Sequence, residues 1–302
     1  MKDQTRRQFM ATAAASAAIV SPSMLSARSV VARQPRPGQP SQLSYGLVTY
    51  LWGKDLDLPA LIKTCEQSNV LGVELRSTHR HGVEPSLNKA QRADVKKRFA
   101  DSPVTCVGPG SNERYDNPKP DVVKKAIEAT KGYIKLSHDI GSTGVKVKPD
   151  RFYREVPREK TIEQIGRSLN ELGAFAKDYG QEIRLEVHGQ CAELPTIRAI
   201  MDVADHPSVG VCWNSNGQDL QGKGLDHNFN LVRSRFGATA HVREFDLGGY
   251  PYPRLIELMV GSDYRGWVML EGRKIPKDKV AGLKAQRELF EKLVAAARAK
   301  KK

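Results

Sequence analysis

Short apolar runs alternate with helix-length amphipathic segments eight times between Leu43 and Ala297, and nothing else in the 302-residue chain restricts its fold so strongly. The runs are Tyr45–Tyr50, Gly72–Arg76, Val104–Gly108, Gly144–Lys148, Ile183–His188, Val209–Asn214, Thr239–Arg243 and Trp267–Glu271. Most lack polar alternation, as strands covered on both faces do. Helices are expected over Ser86–Phe99, Asp121–Leu136, Glu159–Tyr179, Leu194–Ala204 and Asp278–Ala297, with the weakest pattern over 226–236. Within the third, Ile162, Ile165, Leu169, Leu172, Phe175 and Ala176 recur at steps of three and four and mark one apolar face. Alternating strand–helix units make a parallel sheet. Eight such units over 43–297 match a closed (β/α)8 TIM barrel of the α/β class, folded as a single domain. The alternative, an open doubly wound sheet, usually carries a Gly-rich loop after its first strand. Gly46 to Gly53 offers none.

The ends of the chain read differently. Thr5-Arg6-Arg7-Gln8-Phe9-Met10 precedes the small apolar stretch Ala11 to Val20, which is too short to span a bilayer stably. The paired arginines followed by Phe9 resemble a twin-arginine export signal. Residues 1–32 are therefore expected to be a signal peptide, cleaved after Ala27 or Ala32. A Pro/Gln-rich linker follows over 33–42, then the barrel over 43–297 and a basic tail over 298–302. The expected location is periplasmic or otherwise extracytoplasmic, without stable membrane insertion. The net charge of +14 sits mostly at the two ends, since 41–297 holds 38 basic against 33 acidic residues. That body gives no reason to expect a nucleic-acid partner. Cys65, Cys106, Cys191 and Cys212 form no CxxC pair or zinc-type spacing and are expected to be free buried thiols.

Closing a barrel brings the C-terminal ends of all its strands to one face, where such folds keep their chemistry. Read in order, those ends are unusually polar. Strand 2 ends in Glu74 and Arg76, with His79 and His81 just beyond. Strand 4 ends in Lys146 and Lys148, and strand 5 in Glu186 and His188. Strand 6 ends in Asn214 with Asn216 following, strand 7 in His241 and Arg243, and strand 8 in Glu271 with Arg273 following. Ionisable groups at the ends of apolar strands are costly to bury without partners, so they indicate a polar site. Pairs two residues apart project to the same side of a strand. Two carboxylates, an imidazole and an amide oxygen from four consecutive strands suit one divalent cation: Mn²⁺, Mg²⁺, Co²⁺ or Zn²⁺.

The pattern resembles the xylose isomerase-like superfamily, the sugar phosphate isomerase/epimerase group that also includes endonuclease IV. In that family a glutamate, an aspartate, a histidine and a glutamate ending strands 5 to 8 bind the metal. The matching positions are Glu186 in Arg184-Leu-Glu-Val-His188, His241 in Ala240-His-Val-Arg-Glu244, and Glu271 in Met269-Leu-Glu-Gly272. The fourth is Asn214, which supplies an oxygen but no charge, and Gly217 stands where the family often has a histidine. The resemblance implies a metal-dependent sugar isomerase or epimerase. One divalent metal would be held by Glu186, Asn214, His241 and Glu271. Glu186 and Glu271 would move protons beside a carbonyl, and Lys146, Lys148, His188, Arg243, Glu74, His79, His81 and Asn216 would contact substrate. The expected partner is a small carbohydrate, and a homo-oligomer is left open. An exported keto-glycoside lyase would share the first step, and a non-catalytic carbohydrate-binding barrel is a further alternative. Phosphodiester cleavage like that of endonuclease IV needs a His-rich multi-zinc cluster. Only seven histidines occur, and His206 and His227 lie away from strand ends.

Overall fold

The computed structural model describes residues 43–301. The signal-peptide and linker assignments therefore lie outside the described residues. Eight parallel strands close in sequence order: β1 (Ser44–Val48), β2 (Gly72–Arg76), β3 (Thr105–Arg114), β4 (Gly144–Lys148), β5 (Glu182–Glu186), β6 (Val209–Asn214), β7 (Phe236–Val242) and β8 (Trp267–Leu270). Strand β1 pairs with both β2 and β8, which seals the barrel. Eight α-helices follow their strands: α1 (Leu58–Ser68), α2 (Lys89–Ala100), α3 (Pro120–Asp139), α4 (Arg158–Asp178), α5 (Leu194–Val203), α6 (Gly224–Val232), α7 (Tyr252–Gly261) and α8 (Lys279–Lys301). The fold is a single-domain (β/α)8 TIM barrel. None of the described helices is long and apolar enough to cross a membrane.

Alternation along each strand sorts its side chains. In β4, Val145 and Val147 are fully buried in the main core, while Lys146 and Lys148 point the other way, into the barrel. In β5, Ile183 and Leu185 face the helices and Glu182, Arg184 and Glu186 face inward. These two strands thus alternate after all, with the polar side turned to the barrel axis. Deep in the interior, Arg184 is 1% exposed. It donates to Glu182 (2.7 Å), to the Val107 carbonyl (3.0 Å) and to Thr143 Oγ1 (2.7 Å). Val48, Val107 and Met269 form a separate small apolar cluster. The main core lies between the outer face of the barrel and the helices.

Three boundaries depart furthest from expectation. Strand β3 runs on to Arg114, beyond a register shift against β4 after Gly110. The segment 226–236 divides into the end of α6, a single 3₁₀ turn and the start of β7, because Phe236 leaves the helix to pack against Trp213, Phe229 and Tyr264. Helix α8 continues through 298–301, assigned above to a tail. Lys300 pairs with Glu257 of α7, and Lys301 Nζ lies 2.7 Å from Asp263. Cations in a last helical turn also oppose the helix dipole. All four cysteines are free and buried.

Candidate metal and active site

At the C-terminal mouth, one ligand atom each from Glu186, His241 and Glu271 falls within 4.8 Å of the others. Strands β5, β7 and β8 deliver these side chains, as the strand-end pattern requires. Asn214, closing β6, donates from Nδ2 to Glu186 Oε1 at 2.7 Å. Its Oδ1 is buried without a hydrogen-bond partner, and so is His241 Nδ1. Lys146 Nζ stands 2.8 Å from Glu186 Oε2, an ion pair oblique to hydrogen-bond geometry. It also donates to the Ser111 carbonyl at 3.2 Å.

Glu74, completely buried in β2, meets His241 Nε2 at 3.1 Å. With Nε2–H donated to Glu74, the lone pair on Nδ1 faces Glu186 and Glu271, the tautomer that ligation needs. Gly110 makes room for this carboxylate, since a Cβ there would lie 2.7 Å from Glu74 Oε1.

Burial would raise the pKa of Glu186, yet Lys146 and then His241 hold it well below the usual carboxylate range. Glu271 moves the opposite way, because burial and the Glu186 charge both raise it. It forms no side-chain hydrogen bond to any described residue. Burial favours neutral His241, but Cys212 and then Glu74 outweigh it and raise its pKa. With His241 neutral and all three carboxylates ionised, as ligation requires, Glu74, Glu186 and Glu271 against Lys146 would leave two negative charges uncompensated. A divalent cation cancels that charge, and the orphaned Asn214 oxygen and His241 nitrogen are donors suited to it. The residues present therefore fit one divalent metal.

The other sequence-derived candidates separate into two groups. Lys148, His188 and Arg243 stand half-buried at the mouth. His188 Nδ1 is 2.6 Å from Asp150 Oδ1, and Arg114 lies 2.5 Å from the other carboxylate oxygen. Asp150 was missed, although its place two residues beyond Lys148 repeats the strand-end pattern. Gly189, in the left-handed region at φ 69°, lets the chain turn here, and a Cβ would meet the Asp150 carbonyl at 2.4 Å.

The remaining candidates are held by bonds within the mouth. His81 Nε2 donates to the Arg76 carbonyl (2.9 Å) and Nδ1 accepts from the Val83 N–H (3.0 Å), so both nitrogens serve the main chain. His79 is engaged by Thr49 Oγ1 (3.1 Å) and Arg76 Nη1 (3.2 Å), and burial and Arg76 push its pKa down to about 4. Asn216 Nδ2 donates to the carbonyls of Val187 (2.7 Å) and Asn214 (3.1 Å), tying β5 to β6. Glu74 acts on His241, as described. Internal bonds thus hold all four: main-chain groups for His81 and Asn216, and the side chains of Thr49, Arg76 and His241 for His79 and Glu74.

The chain resembles several solved structures over nearly their whole length. L-ribulose 3-epimerase is 13% identical at a TM-score of 0.73, covering 86% of this chain and 97% of that one. The 3-keto-D-glucoside 4-epimerase YcjR from E. coli is 12% identical at 0.70, covering 83% and 100%. The IOLI protein, solved with a bound zinc atom, is 14% identical at 0.70, covering 85% and 99%. Identities this low establish a shared fold. No curated protein sequence matches. The model of the xylose isomerase-like TIM barrel family, however, matches residues 62–293. With its closed eight-strand barrel and Glu–His–Glu cluster at the mouth, the chain belongs to the xylose isomerase-like TIM barrel family.

Proposed function

We propose that the protein is a divalent-metal-dependent isomerase or epimerase of a sugar or keto-sugar. One observation carries this reading: Glu186, His241 and Glu271 converge within 4.8 Å at the barrel mouth. Glu186, Asn214, His241 and Glu271 would hold the metal. Bound there, a divalent cation supplies positive charge that polarises a sugar carbonyl and favours loss of the neighbouring proton. Glu271 takes that proton, being the carboxylate without hydrogen bonds and with the raised pKa. Glu186, gripped by Lys146 and Asn214, is the more fixed partner, and in an epimerisation it is the second carboxylate available to return a proton. Lys146 steadies that anion. The sugar epimerases among the structural neighbours support the same class of reaction.

Elimination from a keto-glycoside would begin with the same proton removal. The Asp150–His188 pair favours it as a second reading. With Nδ1–H donated to Asp150, the imidazolium form of His188 would carry on Nε2 the proton that a departing oxygen needs. Proton NMR of keto-sugars incubated in deuterated water with metal-loaded protein tests both. Deuterium entering beside the carbonyl without fragmentation supports epimerisation, and release of an aglycone supports elimination. Glu271→Gln should lower exchange by about 100-fold or more. Near-normal exchange in that variant, at wild-type metal content, would refute the assigned role.

A further inference from the structure

The carboxylates at the mouth already have a cation of their own. Lys146, 2% exposed on β4, puts Nζ 2.8 Å from Glu186 Oε2. Glu186 Oε1 lies 3.6 Å from His241 Nδ1, and His241 Nε2 meets Glu74 at 3.1 Å. Glu271 completes the group, with a ligand atom within 4.8 Å of those of Glu186 and His241. One ammonium thus serves three carboxylates. Burial opposes its charge, but Glu186, then Glu74 and Glu271, outweigh burial and raise its pKa.

Both ends of this residue are tied to one neighbour. Ser111, fully buried on β3, accepts from Lys146 Nζ at its carbonyl (3.2 Å) and donates from Oγ to the Lys146 carbonyl (2.9 Å). Strand β3 can do this because it runs on past Gly110, which pairs with Lys146 in the sheet. The charge is therefore anchored beside Glu186. A buried lysine without an anion tends to lose its proton, and buried carboxylates without a cation repel one another. Each side makes the other tolerable inside the barrel. With His241 neutral and the carboxylates ionised, removing the lysine charge would leave all three negative charges uncompensated.

We propose that Lys146 is a resident counter-cation, which lets the barrel fold without metal and sets how tightly metal is then held. It acts through Glu186. Two effects of opposite sign follow. Without metal, the ammonium offsets repulsion among the carboxylates and stabilises the barrel. With metal, it is a like charge beside a ligand of that metal and weakens binding. This rests on the metal-enzyme reading and adds the order of events: the chain folds first and takes up metal from its surroundings afterwards.

Lys146→Met, which keeps an unbranched side chain and removes the charge, tests it in the full chain. After dialysis against EDTA, wild type should still melt in a cooperative transition, and the variant should melt lower by about 5 °C or more. In chelator-competition titrations at one fixed pH, Mn²⁺ and Zn²⁺ should each bind the variant at least about tenfold more tightly than wild type. A purely structural lysine would lower stability and metal affinity together. Unchanged or weaker affinity in the variant would overturn the proposal, and so would unfolding of wild type on removal of metal. A variant that folds only with metal present supports it, and one that folds under neither condition refutes it. If wild type takes up metal and Lys146→Met holds it no better, only this role of Lys146 fails. If neither protein takes up Mn²⁺ or Zn²⁺, the metal-enzyme reading fails and the proposal with it.

Discussion

His241 shows how far one residue depends on another. Its ring is useful only with Nδ1 unprotonated and aimed at Glu186 and Glu271, and Glu74 enforces both by accepting from Nε2. Partners of this kind tune metal affinity about 10- to 100-fold. Glu74→Ala should therefore weaken metal binding by that order, with Glu74→Gln restoring part of the loss through its amide oxygen. A competition titration against a chelator measures both, and equal affinity in wild type and Glu74→Ala would contradict the assignment. The strand-end pattern picked out Glu74 as polar and inward-facing, but not its partner, because the two residues lie 167 positions apart. Likewise His81 looked available in the sequence, yet two backbone groups of its own loop consume both ring nitrogens.

At the scale of elements, the turn after β6 (Gly217–Leu220) is locked by Asp219. This side chain accepts from the Asn216 N–H (2.9 Å) and the Tyr250 hydroxyl (2.7 Å), joining the β6 and β7 loops beside the site. Its other oxygen is buried without a partner, and burial raises its pKa to about 7. A carboxyl whose folded pKa exceeds its unfolded value contributes fully below the unfolded pKa, and that stability is lost as pH rises through the folded one. Stability should thus fall between about pH 4 and about pH 7 on account of this group, by on the order of 2 to 4 kcal/mol. Asp219→Asn keeps the accepting oxygen and removes the charge. Its melting temperature should exceed that of wild type at pH 8 and match it near pH 4. An unchanged difference across that range would remove Asp219 as the cause. Elements with strong periodicity, such as α4, were legible to within a residue or two. The 226–236 segment was not, because aromatic packing of Phe236 against β6, α6 and Tyr264 overrides a weak local pattern.

For the whole molecule, the proposed metal site would join four neighbouring strands, so a bound cation should stabilise the barrel as a unit. At 100 times the dissociation constant the gain is about 2.7 kcal/mol, or roughly 5–10 °C in melting temperature for a domain of this size. The pKa values of His241 and Glu271 are both raised, so protons compete with a metal for these two groups more strongly than for ordinary ones. The metal-induced shift should accordingly be largest at neutral pH and shrink on acidification. Calorimetric scans with and without Mn²⁺ or Zn²⁺ at pH 5 and pH 7.5 check this, and a shift that grows at the lower pH would contradict it. The sequence alone determined the number of strands, the barrel and the polar character of its mouth. Those properties follow from local periodicity, and closure then carries every strand end to one face. Only the tertiary structure decided which polar groups bind one another. Glu74 with His241, Asp150 with His188 and Lys146 with Glu186 are bonds across strands, and their distances depend on barrel register, which no local pattern contains.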